Sequence, residues 1–254
     1  MASAHAWLKE RGLLDSWPAW RVIWAHEHGI TLDAGGCLAV IGTRHDGPAA
    51  LRVMGSLPCA VPGEAAARTL RLDLEMTQLW EPPRFDVDVM ALDRDCVEAL
   101  RVAVVSSGKS ALLMPEYCQV LERTMECLQD SFPRVTPGAS LIAGLGPGLT
   151  PSGDDFIAGY CHVLSHAGWS PHCDELVRFT GSTTRISREM IWWASRGVTA
   201  QPFEEALVSV IEGRHVPAIS DALSVGHSSG ADHLLGVWFG LSTLLLHYRE
   251  RAKW

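Results

Sequence analysis

Lysine is nearly missing from this chain of 254 residues: Lys9, Lys109 and Lys253 are the whole set. Arginine therefore carries almost all of the positive charge. With 21 basic against 29 acidic residues, the formal charge is −8. A chain of that sign is not generally attracted to nucleic acid or to an anionic membrane surface. An anionic small molecule must then be met by local positive potential, from helix N-termini or a few placed arginines. Long apolar runs are missing too. Leu234–Leu246, the longest nearly uncharged apolar stretch, falls short of the roughly 20 residues that span a bilayer. The chain opens on Trp7, Lys9, Glu10 and Arg11 rather than on a basic end followed by an apolar run, so no signal peptide is expected. The seven cysteines (Cys37, Cys59, Cys96, Cys118, Cys127, Cys161 and Cys173) form no CxxC pair. They read as reduced, mostly buried thiols of a cytoplasmic protein.

What is present suffices for one large core or two modest ones, with 47% hydrophobic and 20% charged residues. Residues 4–15 read as a short amphipathic helix. From Arg21 to about Ser107 the pattern changes to short β-rich runs broken by turn residues. Arg21–Ala25, Gly29–Leu32, Cys37–Gly42 and Leu51–Met54 are candidates. Over Thr69–Leu79, Leu70, Leu72, Leu74 and Met76 alternate with Arg71, Asp73 and Glu75, the period-two signature of a half-buried strand. Phe85–Met90 and Val102–Val105 continue the theme, with a helical turn over Asp93–Leu100. Beyond Ser106-Ser107-Gly108 the period lengthens. Tyr117, Val120, Leu121, Thr124, Met125 and Leu128 share a helical face, and helices follow over 155–167, 174–196, 203–213, 216–224 and 231–250. The segments starting at Asp155 and Leu234 are apolar nearly all round and belong at the centre of a bundle, where Trp192, Trp193, Trp238 and Phe239 are most simply core. The expected fold is α+β. A β-rich half (1–110, a small barrel or sandwich with a short N-terminal helix) precedes a helical bundle (111–254) that carries glycine-rich loops.

The stretch Gly144-Leu145-Gly146-Pro147-Gly148-Leu149-Thr150-Pro151-Ser152-Gly153-Asp154-Asp155 cannot be a regular element. It runs into an apolar helix through Ser152, Asp154 and Asp155, good N-cap and first-turn residues. Backbone N–H groups of Gly146, Gly148 and Gly153, with Thr150 and Ser152, would form an anion cradle at that helix start. The Lys-Ser/Thr ending of a Walker loop and the βαβ setting of a dinucleotide fingerprint are both missing. A second stretch echoes the first: Ser152-Gly153-Asp154-Asp155…Gly159 and Ser229-Gly230-Ala231-Asp232…Gly236 both read S-G-x-D-x-x-x-G. The closing glycines allow close helix–helix approach, so the two helices are expected to cross near their starts. Asp155 and Asp232 would then flank one ligand, with Asp154, His227, Ser228 and Ser229 nearby. The plain alternative is that each Ser-Gly-Asp is only a cap. An aspartate pair also suits a divalent cation, which makes Mg²⁺ on Asp154, Asp155 and Asp232 a further possibility.

Thr183-Thr184-Arg185-Ile186-Ser187-Arg188 forms a third cluster, placed by its period inside a helix although its residues are poor helix formers. Such residues often line a site; Thr184 and Arg185 are the candidates, Arg185 as a bidentate partner for carboxylate or phosphate. A solvated helix face is the rival reading. His26, His28 and His45 fit structural or exposed positions better than catalytic ones.

The runs GLGPGLTPSGDDFIAG, TTRIS and GHSSGADHLLG, in that order, resemble a bacterial family with a member associated with oxamate carbamoyltransferase of allantoin degradation, one of three dissimilar subunits. The resemblance implies carbamoyl transfer from carbamoyl phosphate to oxamate, giving oxalurate and phosphate, within purine catabolism. It also implies other protein subunits as partners. It carries over no catalytic residue. The Ser-x-Arg-Thr-Arg loop and the His-Pro-x-Gln motif of ordinary carbamoyltransferases are absent here. Carbamoyl transfer needs donors aimed at phosphate and at the developing oxyanion, and Asp155, Asp232 or His227 would accept the amide proton. Two rivals stay open: a Mg²⁺-dependent phosphoryl- or amide-processing enzyme, and a non-catalytic ligand-binding or assembly subunit.

Overall fold

The computed structural model describes residues 20–26, 29–34, 37–42, 52–54, 69–70, 85–134, 138–214 and 217–251. The helix expected over 4–15 and most of the alternating run 69–79 lie outside these residues. By its internal contacts the chain divides into two compact units, Met1–Pro83 and Arg84–Trp254.

In the first unit, β1 (Trp20–His26), β2 (Gly29–Ala34), β3 (Cys37–Gly42), β4 (Arg52–Met54) and β5 (Thr69–Leu70) form one sheet in the order β4-β3-β2-β1-β5. The β5–β1–β2–β3 pairings are antiparallel, and β4 joins β3 in parallel. The β1–β2 register slips between Val22 and Trp24, the mark of a bulge. Val22 and Leu32 face each other across that ladder and are both buried.

The second unit is helical: α1 (Arg94–Ser107), a 3₁₀ turn (Ala111–Leu113), α2 (Pro115–Ser131), α3 (Gly138–Ile142), α4 (Ser152–His166), α5 (Ser170–Arg178), α6 (Arg185–Ala194), α7 (Gln201–Ile211), α8 (Pro217–Leu223) and α9 (Ser229–Arg251). At its centre α4 packs against α9 in the largest helix–helix contact. All of α4 is buried, as its all-round apolarity predicts. Phe156 and Tyr160 from α4 meet Phe239 of α9 with ring centroids 5.7 and 5.2 Å apart.

These findings overturn the expected fold class. The described residues are mostly helical, and the described strands make a single open sheet rather than a barrel or sandwich. Phe85–Met90 is loop and turn, and Val102–Val105 lies inside α1. The β-branched run misled because intrinsic propensity is a weak guide once packing decides. On α1, Cys96, Leu100 and Val104 recur every fourth residue and are buried, while Val102 and Val105 face outward. Asp93 caps that helix by accepting from the Asp95 N–H at 2.9 Å, and Gly108 ends it in the left-handed region. The single helix expected over 174–196 is two helices, α5 and α6. Its Thr-Thr-Arg run is the break: Thr184 is the N-cap of α6 and accepts from the Ser187 N–H at 3.1 Å.

Candidate functional site

Each S-G-x-D-x-x-x-G run opens a long helix that follows a short helix and a loop, and the two copies repeat one geometry. In the first, the Leu145 N–H donates to the Ile142 carbonyl at 2.9 Å and the Gly153 N–H to the Leu145 carbonyl at 2.9 Å. In the second, the Val225 N–H donates to the Ala222 carbonyl at 3.2 Å and the Gly230 N–H to the Val225 carbonyl at 2.9 Å. A methyl group on Gly153 would stand 1.9 Å from the Ile142 carbonyl oxygen, and one on Gly230 would stand 2.1 Å from that of Ala222. No side chain fits at either position. The loop of the first copy turns through Gly146 and Gly148, at φ of 108° and 99°, values that favour glycine.

The long helices cross where the sequence pattern places the crossing. A methyl group on Gly159 would lie 2.0 Å from the His233 carbonyl oxygen, and one on Gly236 would lie 2.1 Å from that of Phe156. Backbone therefore touches backbone, and the two loops come together. Thr150 Oγ1 lies 3.3 Å from Ser229 Oγ, and Ser152 Oγ lies 3.4 Å from Ser228 Oγ.

The aspartates are not caps. The α4 N-cap is Pro151, with no side-chain capping bond. Asp154 accepts from the Gly144 N–H at 2.8 Å through Oδ1 and from the Thr183 hydroxyl through Oδ2, which ties the glycine loop to the segment before α6. Asp232 Oδ1 accepts from the Ser110 hydroxyl at 2.6 Å and from the Leu112 N–H at 3.3 Å, so the 3₁₀ turn is pinned to the start of α9. Asp155 and Asp232 are 3% and 0% exposed, and each keeps a buried Oδ2 without a hydrogen-bond partner among the described residues. Burial pushes the Asp155 carboxyl well above its ordinary range. The Ser229 hydroxyl opposes that rise, and the charges of Asp232 and Asp154 add to it. Burial also raises Asp232, against the hydroxyls of Ser110, Ser152 and Ser228 and the Leu112 N–H.

Of the other expected site residues, Gly148 is exposed and Thr150 and Gly146 are partly so. Thr184 donates its hydroxyl to the Leu149 carbonyl at 2.8 Å, a second tie between the glycine loop and α6. Arg185 and His227 are exposed. Sequence reasoning missed Ser110 and Leu112, whose tie to Asp232 bridges more than a hundred residues without a local pattern.

A second polar cluster lies farther along α4. His162 and His166, one turn apart, face Glu204 of α7 at Nε2–Oε2 distances of 3.1 and 3.6 Å. Glu204 Oε1 accepts from the Thr199 N–H at 2.8 Å and from its hydroxyl at 2.9 Å. Burial would push Glu204 up, but the facing histidines, when protonated, outweigh it and hold the carboxyl well below its usual range. Burial lowers His162, and it lowers the neighbouring His233 further. Among the described residues these three, His162, His166 and Glu204, form the group whose ligand atoms lie close enough to share a metal ion; the three aspartates are not so grouped. The HxxxH spacing was visible in the sequence, but nothing there pointed to Glu204 as its partner.

Residues 142–241 match the family model of the oxamate carbamoyltransferase subunit AllH. Over that stretch the chain is similar to the AllH family. The span matched to AllH begins at Ile142, against whose carbonyl Gly153 sits, and takes in both junctions and the whole α4–α9 crossing. No solved structure matches the chain.

Proposed function

We propose that this chain is a carbamoyltransferase subunit that binds a small anionic amide of the oxamate type, together with carbamoyl phosphate, where the two junctions meet. One observation carries the reading: two buried carboxylates, Asp155 and Asp232, each keep an acceptor oxygen unmatched between paired loops rich in hydroxyls. A buried acceptor without a donor costs free energy unless a ligand supplies one, and the amide N–H of an oxamate-like molecule is such a donor. The N-termini of α4 and α9 supply positive potential for phosphate and carboxylate, with Arg185 as a side-chain candidate.

In the reaction, the amide nitrogen bonds to the carbamoyl carbon, the bond to the phosphate oxygen breaks, and the amide proton leaves. Asp155 or Asp232 accepts that proton, with His227 as the alternative base. The description of the AllH family as one subunit of an enzyme supports further protein subunits as partners. The Mg²⁺ alternative has less support, because Asp154 is already occupied by the Gly144 N–H and the Thr183 hydroxyl.

Thermal unfolding of the chain, alone and with its partner subunits, against carbamoyl phosphate, phosphate, oxamate and oxalurate tests this. A ligand at 100 times its Kd adds about 2.7 kcal/mol. The expected result is a raised midpoint with oxamate or carbamoyl phosphate in wild type that is lost in Asp155→Asn and Asp232→Asn. Equal shifts in both variants, or none in wild type with partners present, would discard the proposed site.

A further inference from the structure

We infer that His162, His166 and Glu204 bind a divalent transition-metal ion of the zinc class, at a site separate from the glycine junctions. The argument starts from hydrogen positions. His166 Nδ1 lies 3.0 Å from the Phe85 carbonyl oxygen. A carbonyl only accepts, so Nδ1 carries the proton, and the Nε2 of the neutral ring presents a lone pair. That Nε2 is buried, has no hydrogen-bond partner among the described residues, and faces a carboxylate oxygen at 3.6 Å. Lone pair against carboxylate is repulsive. A doubly protonated ring would instead close to the roughly 2.7–2.9 Å of a charge-assisted bond, and the separation is longer than that. A cation between the two atoms removes the conflict.

The dimensions agree. Bonds of about 2.1 Å from zinc to nitrogen and oxygen, in tetrahedral arrangement, put ligand atoms about 3.4 Å apart. The observed separations of 3.1 and 3.6 Å bracket that value, and the three ligand atoms all lie within 4.8 Å of one another. Residues four apart share a helix face, which is how α4 presents both imidazoles to one point.

The surroundings of His166 and Glu204 fit a metal site as well, whereas His162 Nδ1 is buried with no hydrogen-bond partner among the described residues. Ligating histidines usually donate their second N–H to a carbonyl or carboxylate, which fixes tautomer and ring orientation. His166 does this at Phe85, and the Phe85 ring stacks on it at 4.0 Å. Glu204 is held through Oε1 by Thr199, leaving Oε2 to face both histidines. The Thr199 hydroxyl lies 3.5 Å from His162 Nε2. Two imidazoles and one carboxylate suit Zn²⁺ or its neighbours rather than Mg²⁺ or Ca²⁺, which prefer oxygen alone. The ion would clamp α4 to α7 and to the segment at Phe85.

The test uses the full chain purified without chelator. Elemental analysis should find about one transition-metal ion per chain. After chelation the unfolding midpoint should fall, and added Zn²⁺ should restore it. His166→Gln and Glu204→Gln, checked for folding by circular dichroism, should lose both the metal and the Zn²⁺-dependent shift. If these variants do not fold, X-ray absorption on the wild-type zinc form decides. Nitrogen and oxygen neighbours with imidazole scattering are expected, and a sulfur or all-oxygen shell overturns the assignment. So does stripped wild-type protein that takes up neither Zn²⁺ nor Co²⁺, or folded variants that bind as tightly as wild type.

Discussion

Asp155 and Asp232 are expensive residues for a fold to keep. Each is buried, each has an unmatched oxygen, and each has its pKa pushed above the unfolded value. With the folded pKa raised, the protonated carboxyl is compatible with the fold. Stability is therefore fully present below the unfolded pKa and is lost as pH rises through the folded one. Asp155→Asn removes that loss. It should raise the unfolding midpoint at pH 8 by the equivalent of about 1–3 kcal/mol and change it little at pH 4. Parallel melts of wild type and variant across that range would show it. A variant less stable than wild type at pH 8 would mean that the ionised carboxylate is held by bonds beyond those described. A residue that costs stability in the free protein and binds its donor only in the complex follows the stability–function trade-off.

Among the elements, the α4–α9 crossing is the one most sensitive to a single methyl group. Gly→Ala in a helix interior ordinarily gains about 1 kcal/mol through propensity. At Gly159 or Gly236 the added carbon would sit about 2 Å from a carbonyl oxygen of the other helix, and overpacking of that kind costs about 1–3 kcal/mol or more. Gly159→Ala should therefore lower the midpoint, and chemical denaturation read by circular dichroism would reveal a rise instead. This crossing was legible in the sequence because a repeated run fixed glycine and aspartate on matching faces. The break between α5 and α6 was legible only as a conflict: Thr183 and Thr184 disfavour helix, and the periodic apolar residues on either side concealed the stop. The strands expected over 85–90 and 102–105 failed for the opposite reason. Val102, Val104 and Val105 suggested sheet, and only the burial of Cys96, Leu100 and Val104 shows which period rules. The pairing of Glu204 with His162 and His166, and the ties of Ser110 and Leu112 to Asp232, depend on contacts between distant segments that no local pattern encodes.

At the scale of the molecule, Arg84–Trp254 has its own core and holds every residue assigned here to a site. Expressed alone, it should fold with a helical circular-dichroism spectrum and one cooperative thermal transition. A broad, non-cooperative melt would mean that residues 1–83 are needed to complete it. Within this unit one supersecondary pattern occurs twice, short helix, loop and long helix, with matching carbonyl seats at Ile142 and Ala222 for Gly153 and Gly230. The copies differ mainly in the loop, which runs from Gly146 to Ser152 in one and from Gly226 to Ser229 in the other. Each copy contributes one half of the carboxylate pair, so the proposed site exists only where both meet.

The backbone contact at the crossing also bears on how exposed the start of each helix is. The helices meet carbonyl to glycine, and Asp155 and Asp232 at their starts have almost no exposure to water. Gly144, Pro147, Gly148 and Leu149 do face outward, on a segment held by the Gly144–Asp154 and Thr184–Leu149 hydrogen bonds. Thr184 thus serves twice, as the cap of α6 and as a tie on that exposed segment.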